Sequence, residues 1–160
     1  MSALDLTLSV TVEAGSWGDL GDVEGLCARA AEAALIVAGV EGLVSLELLL
    51  TDDEAVREIN SEWRGKDEPT NVLSFPAAPT PGFPGPRPLG DVVLAYETLG
   101  REAQAMGIPL AGHAAHLLAH GVLHCLGYDH DTEAAAEEME ALETKAMALI
   151  GVDDPYAAHP

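Results

Sequence analysis

The amino-acid sequence predicts an α+β fold, a small four-stranded mixed sheet packed with helices. Three observations predict it. Short segments rich in β-formers are interleaved with helical patterns up to Tyr96, the remainder is almost wholly helical in pattern, and histidines recur there at one-turn spacing.

Leu4 to Val12 (LDLTLSVTV) alternates apolar and polar residues, as a half-buried strand does. Val23 to Val37 is Ala-rich with apolar residues at helical spacing, which predicts a helix. Gly39 and Gly42 punctuate the chain before a second strand, Leu43 to Leu50. Thr51 followed by Glu54 has the spacing of a capping box, opening a helix that runs to about Trp63. Asn71 to Phe75 (NVLSF) is a short third strand closed by Pro76. From Pro76 to Pro88 the sequence holds six of the ten prolines and predicts a loop, because each lacks an amide donor and disfavours helix before it. Gly90 to Tyr96 is the fourth strand, and helices follow over about Thr98 to Met106, Ala111 to Leu126 and Glu133 to Ile150. No repeat or linker divides the chain, so residues 1–160 read as one domain with a Pro-rich loop at 76–88 and a short tail at 155–160.

A chain of 160 residues, 48% apolar, is long enough to bury a core. No apolar run reaches the roughly 18 to 20 residues that span a bilayer, and the first residues lack the pattern of a signal peptide. Cys27 and Cys125 are therefore expected as reduced thiols in a cytoplasmic protein. The formal net charge of −20 argues against a broad basic nucleic-acid surface. Glu133, Glu137, Glu138, Glu140 and Glu143 read as a solvated helix face. Arg57, Arg64 and Lys66 fall within ten positions, so the global charge does not fix the sign of a local site.

The chemistry lies in the segment from His120 through His124 and Gly127 to His130. Helical residues four apart share a face, so His120 and His124 can grip one ion from one side. Gly127 can take the left-handed conformation that ends a helix, letting the chain turn back and bring His130 to the same ion. Three neutral imidazoles suit one Zn²⁺ per chain and leave its fourth position open, the layout of a catalytic site on a central helix and the turn after it. His113 and His116 lie on the same stripe. A set such as His116, His120 and His124, however, spans about 12 Å of helix, too far for bonds of about 2.0 to 2.1 Å. The upstream pair is read as packing or supporting residues, His159 as a tail residue, and Cys125 as a small buried apolar group.

The spacing matches the metzincin protease pattern except at Gly121, where those enzymes carry the glutamate that activates water. The same residues resemble the bacterial YbeY endoribonucleases, whose signature H-G-x-L-H-x-x-G-Y-D-H is matched from His120 to His130. The likeness extends through Asn60, Arg64-Gly-Lys66-Asp, Pro69-Thr70, Val72-Leu-Ser-Phe-Pro76 and Gly90-Asp91, and on to Glu137–Glu143, covering roughly residues 40 to 155. Asn71 stands where the family's pattern usually has Asp.

The resemblance implies a zinc-dependent, single-strand-selective endoribonuclease acting in 16S rRNA 3′-end maturation and ribosome quality control. The metal would be held by His120, His124 and His130, with the functional arginine at Arg64. A planar guanidinium beside the metal would offer paired donors to phosphate oxygens. The expected partners are single-stranded RNA or rRNA and the ribosome or its proteins. A surface this acidic predicts weak intrinsic affinity for RNA, with a partner presenting the substrate. Two other readings remain open: a zinc peptidase-like hydrolase with its base elsewhere, and a non-catalytic ribosome-associated protein with a structural metal.

Overall fold

The computed structural model describes residues 3–157. Its strands are β1 (Leu4–Val12), β2 (Gly42–Thr51), β3 (Val72–Pro76) and β4 (Arg87–Ala95). Its α-helices are α1 (Val23–Val37), α2 (Asp53–Arg64), α3 (Tyr96–Met106), α4 (Leu110–Cys125) and α5 (Glu133–Leu149), with a 3₁₀ turn at Trp17–Leu20. The sheet order is β1-β2-β4-β3. The first three of these run parallel, and β3 pairs antiparallel to β4 at the edge, so the sheet is mixed as the sequence predicts.

Alternation along the strands gives the sheet two unlike faces. Val44, Leu46, Leu48, Leu50, Val92 and Leu94 belong to the main core with residues of α1, α4 and α5. The other face carries Leu49, Leu73, Phe75 and Val93 beneath Val56 and Ile59 of α2. Helix α4 is buried along most of its length and is the central helix of the fold. Trp17 is buried in the main core and donates its Nε1 hydrogen to the Ala14 carbonyl at 2.8 Å.

Several boundaries move by one to three residues: β4 begins at Arg87, not Gly90, and Tyr96 opens α3 instead of ending that strand. Two of the changes have a clear physical cause. The cap of α2 is Asp52, whose carboxylate accepts from the Ala55 amide at 2.9 Å. Thr51 instead ends β2 and donates its hydroxyl to Glu13 at 3.1 Å, because strand pairing holds it one residue too early to cap. The Pro-rich loop is also shorter than 76–88, since Pro76 ends β3 and β4 begins at Arg87. A proline is accommodated there by a bulge: Ser45 pairs Pro88 and Leu46 pairs Gly90, leaving Leu89 extra. Gly90 has φ +146°, and a Cβ on it would lie 2.4 Å from the Phe75 carbonyl oxygen, so the bulge requires glycine.

Among the described residues no helix is long and apolar enough to cross a membrane. Both cysteines are free. His159 lies outside the described residues.

Candidate metal centre

Helix α4 delivers His120 and His124 one turn apart near its C-terminal end. After the helix, Gly127 takes φ +100°, and the reversed chain carries His130 back to them. One donor nitrogen from each of the three lies within 4.8 Å of the others. Donors of a tetrahedral ion with bonds of about 2.0 to 2.1 Å stand about 3.3 Å apart, so small side-chain rotations close the set. His130 is exposed, while His120 and His124 are half-buried, which leaves the cluster open on one side.

Hydrogen bonding decides which nitrogens can act as ligands. His124 Nδ1 lies 2.9 Å from the Tyr128 carbonyl oxygen and donates to it, leaving the lone pair on Nε2. His120 Nδ1 lies 3.0 Å from a Glu143 carboxylate oxygen and donates in the same way. The two Nε2 atoms face each other at 3.0 Å. Two lone pairs at that separation repel unless a cation lies between them, so the donor set fits a metal ion. Burial first, and then the neighbouring His120, lowers the His124 pKa and favours the neutral form that can ligate.

Glu143 corrects the sequence reading of the acidic run. It is 1% exposed and lies in the core, not on a solvated face. Its carboxylate accepts from His120, from His116 and, at 2.6 Å, from the Tyr156 hydroxyl. Burial alone would raise its pKa, but the bonds from His116, His120 and Tyr156 outweigh that and hold it at about 2. The signal was present in the sequence: Met139, Glu143, Ala146 and Met147 share one helical face, which puts the carboxylate on the apolar stripe of α5. His116 thus supports the cluster through Glu143. His113, 5% exposed, pairs at 2.9 Å with Glu102, which also accepts from Asn71. An aspartate in place of Asn71 would set two carboxylates against each other.

Gly121 faces the sheet. A Cβ there would lie 2.7 Å from Val92 Cγ1 and 3.0 Å from Ser74 Oγ, and the Ser74 hydroxyl donates to the Gly121 carbonyl at 3.0 Å. A glutamate at this position would be driven into the sheet, away from the histidines. Burial lifts the Cys125 thiol to about 12, with Asp91 adding to it, so Cys125 is a neutral packing group beside the cluster.

Arg64 occupies the last turn of α2, exposed, and α2 is capped by Gly65 at φ +70°. It makes no ion pair among the described residues, whereas Arg57 is tied to Glu54 and Asp67. The basic group read from the sequence is therefore Arg64 and Lys66 without Arg57. Helices α2 and α4 pack on opposite faces of the sheet and meet at the edge strand. There Phe75 packs against Trp63 (ring centroids 6.3 Å apart) and the adjacent Ser74 bonds α4. No hydrogen bond joins the Arg64 side chain to the histidines among the described residues.

Fold and site together define an α+β protein whose three-histidine cluster, on a central helix and its following turn, could hold a metal ion. The family model described as endoribonuclease YbeY matches residues 18–151. The endoribonuclease YbeY of Rhizobium meliloti is 48% identical over 169 aligned positions, covering 100% of this chain and 99% of that protein. That of a Bradyrhizobium species is 49% identical over 156 positions, covering 94% and 92%. The chain belongs to the endoribonuclease YbeY family. A solution structure from Thermotoga maritima shares the fold, with a TM-score of 0.57 at 20% identity over 95% of this chain and 100% of that one.

Proposed function

We propose that this chain is a zinc-dependent, single-strand-selective endoribonuclease of the cytoplasm, acting in 16S rRNA 3′-end maturation and ribosome quality control. His120, His124 and His130 hold one Zn²⁺, and Arg64 binds the scissile phosphate. The observation that carries the reading is the pair of Nε2 atoms turned toward one point by Glu143 and Tyr128, in a chain of an endoribonuclease family. A divalent ion held there supplies Lewis-acid charge toward a phosphodiester. Glu143 fixes the tautomer and orientation of His120, and the Tyr128 carbonyl does the same for His124. Arg64, with no carboxylate partner among the described residues, is free to offer its guanidinium to phosphate oxygens, the cationic group that phosphoryl transfer requires.

The net charge of −20 leaves few phosphate contacts, so the ribosome or a ribosomal protein presents the RNA. The packing of Gly121 favours this reading over a peptidase, because the position that carries the water-activating glutamate in metzincins is closed by the sheet.

The test sets zinc content beside cleavage of single-stranded RNA for the wild type and His124→Ala. Stoichiometric zinc and cleavage, both lost in the variant, are expected. Zinc lost with no cleavage by either protein, with the ribosome present, would make the metal structural and overturn the nuclease reading.

A further inference from the structure

The four strands present one continuous row on the face that α2 covers only in part. Ser9 pairs Glu47, Glu47 pairs Asp91, and Asp91 pairs Phe75. The next row, Thr11, Leu49, Val93 and Leu73, lies at the level where Leu49, Val93 and Leu73 pack with Val56 and Ile59 of α2. The Ser9 row therefore lies just outside the helix. Trp63, in the last turn of α2, stands beside it 70% exposed, its ring edge-on to Phe75. The result is a cavity of about 460 Å³ with aromatic walls (Trp63, Phe75), an apolar floor (Leu49, Ile59, Val93) and two carboxylates, Glu47 and Asp91.

These features select an occupant. An exposed indole is costly to leave in water and offers a π-face for stacking. Glu47 and Asp91 would repel a phosphate but accept hydrogen bonds from amino groups. Outside the cavity, Arg64 and Lys66 follow Trp63 by one and three positions, both exposed and free of ion pairs among the described residues. A flat, neutral ring bearing an amino group, attached to phosphates, satisfies all of these together. We infer that this cavity is a nucleobase subsite for single-stranded RNA, in which a base with an exocyclic amine stacks on Trp63 and donates to Glu47 and Asp91 while Lys66 holds the outer flanking phosphate and Arg64 the scissile one next to it. The inference rests on the proposed nuclease reading and adds to it a second contact surface, on the far side of β3 from the histidines. Adjacent residues of that edge strand, Ser74 and Phe75, belong to the two sides. Double-stranded RNA has no base free to enter, so the subsite also supplies a physical source of strand selectivity.

Two tryptophans make the test direct, since Trp17 is 1% exposed and Trp63 carries the solvent-exposed emission. Short oligo(C) is titrated into the zinc-loaded protein with tryptophan fluorescence as readout, and cleavage kinetics are measured in parallel for Trp63→Ala and Trp63→Phe. Quenching by oligo(C), weaker with oligo(U) and absent with a duplex, is expected. Trp63→Ala should raise KM for single-stranded RNA about 5- to 100-fold with kcat nearly unchanged, Trp63→Phe should recover most of it, and Glu47→Gln should weaken the preference for C over U. An unchanged KM in Trp63→Ala, with the wild type cleaving normally, overturns the subsite and leaves the nuclease reading intact. If the wild type cleaves no RNA, quenching by oligo(C) still upholds the subsite. Its absence, or displacement of the emission by peptide instead of RNA, overturns it.

Discussion

Glu143→Gln is nearly isosteric, and its consequence can be worked atom by atom. One carboxylate oxygen accepts from His120, while the other accepts from both His116 and the Tyr156 hydroxyl. A glutamine side chain keeps one acceptor and replaces the other with an NH₂ donor. Turning the NH₂ toward His116 and Tyr156 opposes two donors, whereas turning it toward His120 opposes one, so the second arrangement is favoured. His120 must then accept at Nδ1, which moves its proton to Nε2 and blocks the nitrogen that faces His124. The expected loss of zinc affinity is about 10- to 100-fold, or about 1.4 to 2.7 kcal/mol. Competition against a chromogenic zinc chelator measures it, and urea unfolding of the metal-free protein checks that the fold survives the loss of a buried hydrogen bond. Wild-type zinc affinity in Glu143→Gln, with His120→Ala failing to bind, would refute the claim that Glu143 sets the ligand tautomer.

Two further predictions concern the frame around the site. Gly121→Ala places a methyl group against Val92 and Ser74 and should destabilise the protein by about 1 to 3 kcal/mol in urea unfolding; an unchanged midpoint would show that the helix is free to shift. Asp53 joins the start of α2 to α3 through Thr98 and Arg101. Burial raises its pKa, but the bonds from Arg101 and Thr98 outweigh this and leave it lowered. Its stabilisation is therefore present above the unfolded carboxylate pKa near 4 and is lost as pH falls through the folded value. Asp53→Asn should be about 1 kcal/mol less stable than wild type at pH 7, with the gap closing below pH 4, and a gap that persists at pH 2.5 would contradict the ion-pair origin.

Much of the fold was legible because local periodicity and tertiary burial agree here. The alternation of Leu4 to Val12 and the turn at Gly127 each carry their structural role in the immediate sequence. The histidine grouping was legible for the same reason, since two of its members share a helix and the third follows one turn-forming glycine. What escaped depended on partners distant in the chain. The bulge at Leu89 is a feature of the pairing of β4 with β2, strands distant in the chain, and proline content alone points to a loop. Glu143 was lost to the charge pattern around it, although its helical spacing from Met139 and Met147 puts it on the buried stripe. Where Arg64 stands relative to the histidines depends on which face of the sheet each helix packs, and no local pattern encodes that.

The contact between Gly121 and the sheet also bears on how this scaffold could diverge. Single-nucleotide change readily converts a glycine codon to one for glutamate or alanine, yet here either product would have to push α4 off β3 and β4. Because His120 and His124 ride on that helix, the displacement would spoil the histidine grouping in the same step that introduced the new side chain. A lineage that acquired a general base at this position would need the helix reseated first, through smaller residues at Val72, Ser74 or Val92, and only then the acid. Such an ordering makes the passage between the two chemistries a multistep one, and it gives directed evolution a defined sequence of substitutions to attempt.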